Sequence, residues 1–249
     1  MGWRVWGDAV GVVRNRCASY GVRGWGLSMD SQTFAAVDDY ITGRLLPEDP
    51  DLSGALERNR VAGLPEIDVS PAQGKFLHLM ARMIGARRIL EIGTLGGYST
   101  IWLARALPFD GHLTTLELMP HHAATAEQNL RAAGLDGLVD IRVGPALDSL
   151  AGLLAEKIPA FDLIFIDADK PGNPSYFREA LRLARKGTVI ICDNVVRGGD
   201  VIDAASVDPS IIGTRALFDA IAATKRVSAT ALQTVGSKGW DGFALVLVE

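Results

Sequence analysis

Cysteine is nearly absent from this chain: Cys17 and Cys192 are the only two in 249 residues. Two thiols cannot build a disulfide framework, so a reducing cytoplasm is the expected setting. No apolar run approaches the roughly 20 residues that span a bilayer, which removes a transmembrane helix from consideration. Surplus charge is also missing. Lys and Arg number 25 against 29 Asp and Glu, a net charge of -4, and this removes the electrostatic case for a nucleic-acid or anionic-membrane partner. A further absence is the G-x-G-x-x-G fingerprint of dinucleotide-binding folds.

What is present is a large apolar fraction, 48% of the residues, enough for a substantial core in one α/β domain or two small ones. Residues 1–28 carry Trp3, Trp6 and Trp25 with no sustained periodicity of either kind. They are expected to form a poorly ordered extension, the alternative being an arm whose tryptophans anchor on a partner subunit. Asp30-Ser31 then offers polar capping residues for a helix start. No internal repeat, low-complexity tract or linker interrupts the remainder of the chain, so residues 29–249 are expected to be a single domain.

After a helical lead, about 31–46 and again about 71–85, strand-like and helical patterns alternate with short connections. Strands are expected at Arg88–Gly93, His112–Leu118, Val139–Val143, Asp162–Asp167 and Thr188–Asp193. Helices are expected between them at Tyr98–Leu107, Pro120–Ala133, Ala146–Glu156 and Pro174–Ala184. Such alternation with apolar strands means a parallel sheet covered on both faces. A further helix at about Thr214–Thr224 leads to strands at Val227–Thr234 and Gly242–Val248. Only a Gly-rich link joins these two, too short for a crossover, so one of them must run against its neighbours. The expected fold class is therefore α/β, Rossmann-like and doubly wound: a mostly parallel seven-stranded sheet with a reversed C-terminal strand.

Ligands of open parallel sheets sit beyond the carboxyl ends of the strands, so the residues at those ends are the site candidates. Arg88-Ile89-Leu90-Glu91-Ile92-Gly93-Thr94-Leu95-Gly96-Gly97-Tyr98 runs from an apolar strand into a glycine cluster that opens a helix, which leaves backbone N–H groups for a ligand. Glu117 lies 24 residues past Gly93, where an acid can accept the ribose hydroxyls of an adenosine cofactor. The bland alternative is a carboxylate capping the next helix. Asp167 and Asp193 are expected to end neighbouring strands, about 4.8 Å apart, where two carboxylates repel unless a proton or cation lies between them. With the neutral oxygen of Asn194 they make a hard-oxygen set suited to Mg²⁺, with Mn²⁺ or Ca²⁺ as alternatives, rather than zinc. Alone, Asp193-Asn194 reads as an Asx turn after a strand. Lys170, three residues past Asp167, is a candidate general base, or else a surface lysine paired with Asp169.

Five segments occur in an order that resembles the cation-dependent O-methyltransferases of the caffeoyl-coenzyme A and catechol type, in particular their bacterial members. They are Ser70-Pro71-Ala72-Gln73-Gly74, Glu91-Ile92-Gly93-Thr94-Leu95-Gly96-Gly97-Tyr98-Ser99, Gly144-Pro145-Ala146-Leu147, Phe165-Ile166-Asp167-Ala168-Asp169-Lys170 and Cys192-Asp193-Asn194-Val195. The resemblance covers roughly residues 30–249 and implies the seven-stranded sheet of class I methyltransferases. It also implies S-adenosylmethionine as cofactor. Glu91, Gly93 and Ser99 would lie at its methionine portion, Glu117 at the ribose and Ala146 at the adenine, with Thr94 and Asp167 also among the cofactor-binding residues. Asp169 would reach the cofactor, and Val69 would add a main-chain contact. The metal ligands implied are again Asp167, Asp193 and Asn194, with Lys170 as base beside Asp167.

Two departures matter. Gly198 stands where plant members place an asparagine that touches substrate, and Gln73 replaces the usual acid of its segment. The substrate contacts of the plant enzymes therefore do not transfer. The expected acceptor is a catechol-like or other vicinal-diol small molecule, most simply a hydroxylated aromatic. Its determinants are expected in the N-terminal helices, the Arg197–Asp208 loop and the Gly236–Gly242 loop, with Trp240 as a wall for a flat ring or as a core or interface residue. A homodimer is expected from the apolar N-terminal helices. Three rivals remain: an NAD-dependent oxidoreductase, which the glycine pattern and reversed strand oppose; a metal-independent methyltransferase, which would gain nothing from Asp193-Asn194; and a non-catalytic cofactor-binding or scaffold protein, in which the intact acid, metal and lysine set would be an odd retention.

Overall fold

The computed structural model describes residues 31–249, and the expectation for residues 1–28 lies outside the described residues. Three helices lead: α1 (Ser31–Leu45), α2 (Pro50–Val61) and α3 (Pro71–Met83). The last two start by the same device. Asp49 accepts from the N–H groups of Asp51 and Leu52, Ser70 accepts from Gln73, and a proline fills the first helical position where no N–H is needed. The sequence pattern misses α2, because its helical face buries only Leu52, Ala55 and Asn59, too few apolar residues to register as a stripe.

The strands are β1 (Arg88–Ile92), β2 (His112–Glu117), β3 (Val139–Val143), β4 (Phe161–Ile166), β5 (Ala184–Asp193), β6 (Val227–Gly236) and β7 (Gly239–Val248). Interleaved helices are α4 (Tyr98–Ala104), α5 (Pro120–Ala132), α6 (Ala146–Ala155), α7 (Asn173–Arg182) and α8 (Pro209–Ala223). The sheet order is β3-β2-β1-β4-β5-β7-β6. Strands β1 to β5 pair in parallel, and β7 runs antiparallel to both β5 and β6. This is the mostly parallel, seven-stranded sheet with a reversed final strand that the sequence leads one to expect.

Most differences lie at the element ends. Strand β5 starts four residues early because Arg185, Lys186 and Gly187 extend it into solvent with no apolar signal. Helix α8 starts at Pro209, capped by the Asp208 side chain on Ser210 N–H at 2.7 Å. The β6–β7 link is a two-residue hairpin, with Gly236 opposite Gly239 and Gly239 at φ 92°. Among the described residues, no helix is long and apolar enough to cross a membrane.

Consecutive apolar residues in the central strands divide between two cores. Ile89, Phe165 and Ile191 face one with α3 and α4. Leu90, Ile164 and Ile190 face the other with α7 and α8. Burial on both faces is why these strands read as continuous apolar runs rather than alternating ones. The topological switch lies between β1 and β4, whose carboxyl ends carry the glycine turn and Asp167.

Candidate active site

The glycine turn folds against the Glu117 carboxylate. Its Oε2 accepts from the N–H groups of Thr94 (3.2 Å) and Leu95 (2.8 Å). Its Oε1 accepts from Met119 N–H at 2.9 Å and lies 3.3 Å from His122 Nδ1. One acid at the end of β2 thus shapes the turn at the end of β1. Gly93 has φ 104°, and a Cβ built there would overlap the backbone carbonyl oxygen of Asp167. Only glycine lets the two strand ends approach this closely.

Below the turn lies Glu91, with no solvent-exposed surface. Its carboxylate accepts from the hydroxyls of Ser99 (2.6 Å), Thr100 (2.5 Å) and Thr115 (2.7 Å). Of its three hydroxyl partners, Ser99 also lines the cavity above the turn. Burial pushes its carboxyl up to about 7; the three hydroxyls oppose this and the charge of Asp167 adds to it. The folded state therefore holds a proton that the unfolded chain releases near its ordinary value of 4.5. Stability from this group is full below that value and is lost as pH rises towards 7 and beyond. Glu91→Gln should flatten the dependence of Tm on pH between 5 and 8. It should be the more stable protein at pH 8, by on the order of 2–3 kcal/mol. Parallel melting curves of the two proteins across that range check this.

Above the turn is a cavity of about 640 Å³. Val69, Gly93, Thr94, Ser99, Glu117 and Ala146 line it, and so do Asp167, Asp169, Lys170 and Asn194. A second cavity of about 320 Å³, under the β6–β7 hairpin, is bordered by Gln73, Asp193 and again Asn194. Asp167, Asp193 and Asn194 therefore stand between two open spaces.

Asp167 and Asp193 follow the paired residues Ile166 and Cys192 of neighbouring strands. Burial first, and then the negative charge of Asp167, push the Asp193 carboxyl well above the usual carboxylate range. The Gln73 amide donates to Asp193 Oδ2 at 2.7 Å, and Asn194 N–H donates to Oδ1 at 2.9 Å. Two carboxylates at adjacent strand ends, beside an amide oxygen, are a donor set that a hard divalent cation fits. Among the described residues no three His, Cys, Asp or Glu side chains gather to hold a metal, so Asn194 would have to supply the third ligand.

Lys170 is buried, and its ammonium donates to Asp167 Oδ1 at 2.8 Å. It does not pair with Asp169. A short 3-10 turn, Lys170–Gly172, brings it back over the strand end. Asp169 is instead the cap of that turn: Gly172 N–H donates to its Oδ2 at 2.9 Å and the Tyr176 hydroxyl to its Oδ1 at 2.5 Å. Tyr176 lines the larger cavity, and nothing in the sequence pattern singles it out. Asp68 also lines it, and its place before Val69 is the available signal.

Beyond Asn194 the backbone is left-handed at Asn194 (φ 56°) and Arg197 (φ 59°) as well as at Gly198 and Gly199. Asp241 on β7 holds it there, accepting from the N–H groups of Val196 (2.9 Å) and Arg197 (3.0 Å). Trp240 borders neither of the two cavities. Its indole packs where a side chain on Gly199 would stand and donates to Gln233 at 3.0 Å, so it braces the hairpin instead of walling the site.

A family model described as O-methyltransferase matches residues 51–247. The chain is similar to a catechol O-methyltransferase of Niastella koreensis, with 51% identity over 221 residues that cover 89% of this chain and all of that one. Among solved structures it is similar to the O-methyltransferase of Bacillus cereus in complex with SAH, with 55% identity and a TM-score of 0.88 over 88% of this chain and all of that one. It is likewise similar to TomG of Streptomyces achromogenes in complex with SAM, with 48% identity and a TM-score of 0.86 over 88% and 99% of the two chains. With the turn, the strand-end acids and the reversed last strand in place, the chain belongs to the class I O-methyltransferase family of the caffeoyl-coenzyme A and catechol type and is an S-adenosylmethionine-dependent enzyme.

Proposed function

We propose that this enzyme methylates one hydroxyl of a catechol-like or other vicinal-diol small molecule, with a divalent cation, Mg²⁺ first among the choices, held by Asp167, Asp193 and Asn194. The observation that carries this reading is the pair of carboxylates at adjacent strand ends beside the Asn194 amide, Asp167 bordering the larger cavity and Asp193 the smaller. When bound, such a cation supplies Lewis acidity, lowering the pKa of a hydroxyl that it contacts. The chain's own residues do the rest. The glycine turn and Glu117 orient the cofactor, with Ser99, Ala146 and Val69 along its length. Lys170 Nζ stands beside Asp167 and, in its neutral amine form, would take the proton of the reacting hydroxyl. The acceptor oxygen forms its bond to the methyl carbon as the carbon–sulfur bond breaks, and the sulfonium leaves as a neutral thioether. Holding donor and acceptor in line is worth about 7–11 kcal/mol in favourable cases.

The two relatives' names support this: one is called a catechol O-methyltransferase, the other an O-methyltransferase solved with SAH. The scarcity of cysteine supports work in a cytoplasm. Val37, Tyr40 and Leu45, exposed along α1, offer an apolar face for a second copy and support a homodimer. The direct test is transfer of a radiolabelled methyl group to a panel of catechols and matched monophenols, with and without Mg²⁺. Catechols should be labelled and monophenols not, and only with the cation. Equal labelling of monophenols, or undiminished labelling in excess EDTA, would overturn the reading.

A further inference from the structure

Two asparagines fully enclosed by the fold have no part in the chemistry above. Asn129 lies in the last turn of α5 and Asn59 near the end of α2, and both are buried. Burying an amide costs free energy unless every polar atom finds a partner, and leucine of similar size would fill either place without that demand. Here the partners are found, and they form a connected network. Asn129 Nδ2 donates to the carbonyl of Gly96 at 2.7 Å and to Asn59 Oδ1 at 2.9 Å. Its Oδ1 accepts from Arg58 Nε. Asn59 Nδ2 in turn donates to Asp68 Oδ1 at 3.0 Å. A side chain on Gly96 would overlap the Asn59 amide, so the turn is seated directly on this network.

The two ends of the network are what give it meaning. Gly96 belongs to the glycine turn, whose Gly93, Thr94 and Leu95 line the larger cavity on one side. Asp68 sits in the segment Pro65–Val69 that forms another part of the wall. These two banks are otherwise separate pieces of chain, one leaving β1 and one joining α2 to α3. Both asparagine amides are paired within this network, although the buried Nη2 of Arg58 finds no partner, and paired buried amides favour one arrangement where apolar packing would tolerate several.

We propose that Asn59 and Asn129 are positioning residues for the cofactor: they lock the glycine turn to the Asp68–Val69 bank, so that the affinity for S-adenosylmethionine depends on them while the acceptor chemistry does not. The inference rests on cofactor use alone, and its test needs neither acceptor nor metal to be known. Calorimetric titration of S-adenosylmethionine into the full chain should show Asn129→Leu with a Kd raised at least tenfold. Asn59→Asp keeps the acceptor for Asn129 but sets a carboxylate against Asp68, and should raise Kd at least fivefold. The exchanged pair Asn59→Asp with Asp68→Asn restores a donor facing an acceptor, and should return Kd to within twofold of wild type. With an acceptor in hand, KM for the cofactor should follow Kd while kcat at saturating cofactor stays within twofold. Unchanged Kd in both single variants, with only a lower Tm, would reduce the network to packing and overturn the proposal. Failure of the exchanged pair to recover would do the same. If Asn129→Leu does not fold, the exchange decides the matter alone.

Discussion

Asp193→Asn abolishes methyl transfer without weakening the fold. The substitution keeps the shape of the side chain; its single oxygen can keep the Asn194 N–H bond, and the Gln73 amide can turn to accept from the new Nδ2. It removes one of two carboxylates whose charges oppose each other across adjacent strand ends. If that pair exists to hold a cation, its loss costs the several kcal/mol of Lewis-acid stabilisation that a bound metal contributes, about three orders of magnitude or more in kcat/KM. Thermal stability should move the other way. A buried carboxylate held well above its ordinary acid constant costs stability at neutral pH, so Tm of the variant at pH 8 should equal or exceed that of wild type. Asp167→Ala should lose activity to a similar extent, with its Lys170 partner left uncompensated. Initial rates on a catechol, with melting curves at pH 8, test both halves. Activity retained by Asp193→Asn or by Asp167→Ala would dismiss the metal reading.

Gly93→Ala should be the most damaging single-methyl change in the turn. The new Cβ meets the backbone carbonyl of Asp167, which cannot swing aside as a side chain would, and φ 104° is not open to alanine without strain. Relief requires β1 and β4 to part at the topological switch. Strain and overpacking together cost at least about 3 kcal/mol, or roughly 6–12 °C in Tm for a chain of this size. The Thr94 and Leu95 N–H groups would be drawn off Glu117 at the same time, so S-adenosylmethionine binding should fall at least a hundredfold by titration calorimetry. A variant that melts and binds like wild type would show that the close approach is not required.

The strand ends are legible in the sequence because each obeys a local rule: an apolar run, then an acid or a glycine. That alone places Gly93, Glu117, Asp167 and Asp193 at one rim, and the absence of a crossover before Gly242–Val248 reveals the reversed strand. Helix α2 is not legible, since the Asp49-Pro50 start signal stands before a segment with almost no apolar face. The partner of Lys170 is not legible either, because a 3-10 turn rather than sequence proximity decides it. Asn59 with Asn129, and Asp241 with Val196 and Arg197, lie some 45 to 70 residues apart. No spacing rule reaches that far. Glu91 illustrates a subtler limit: its place on the strand is legible, but its hydroxyl partners Ser99, Thr100 and Thr115 are not.

The strand β7 slots between β5 and β6, although it follows both in the chain. Its Asp241 and the Gly242 carbonyl are what shape the backbone after Asn194. In order of synthesis, the β1, β2 and β4 part of the sheet, with its glycine turn, precedes the strand that braces the backbone after Asn194. The turn that the Glu117 carboxylate shapes is thus complete in sequence before that brace has been made.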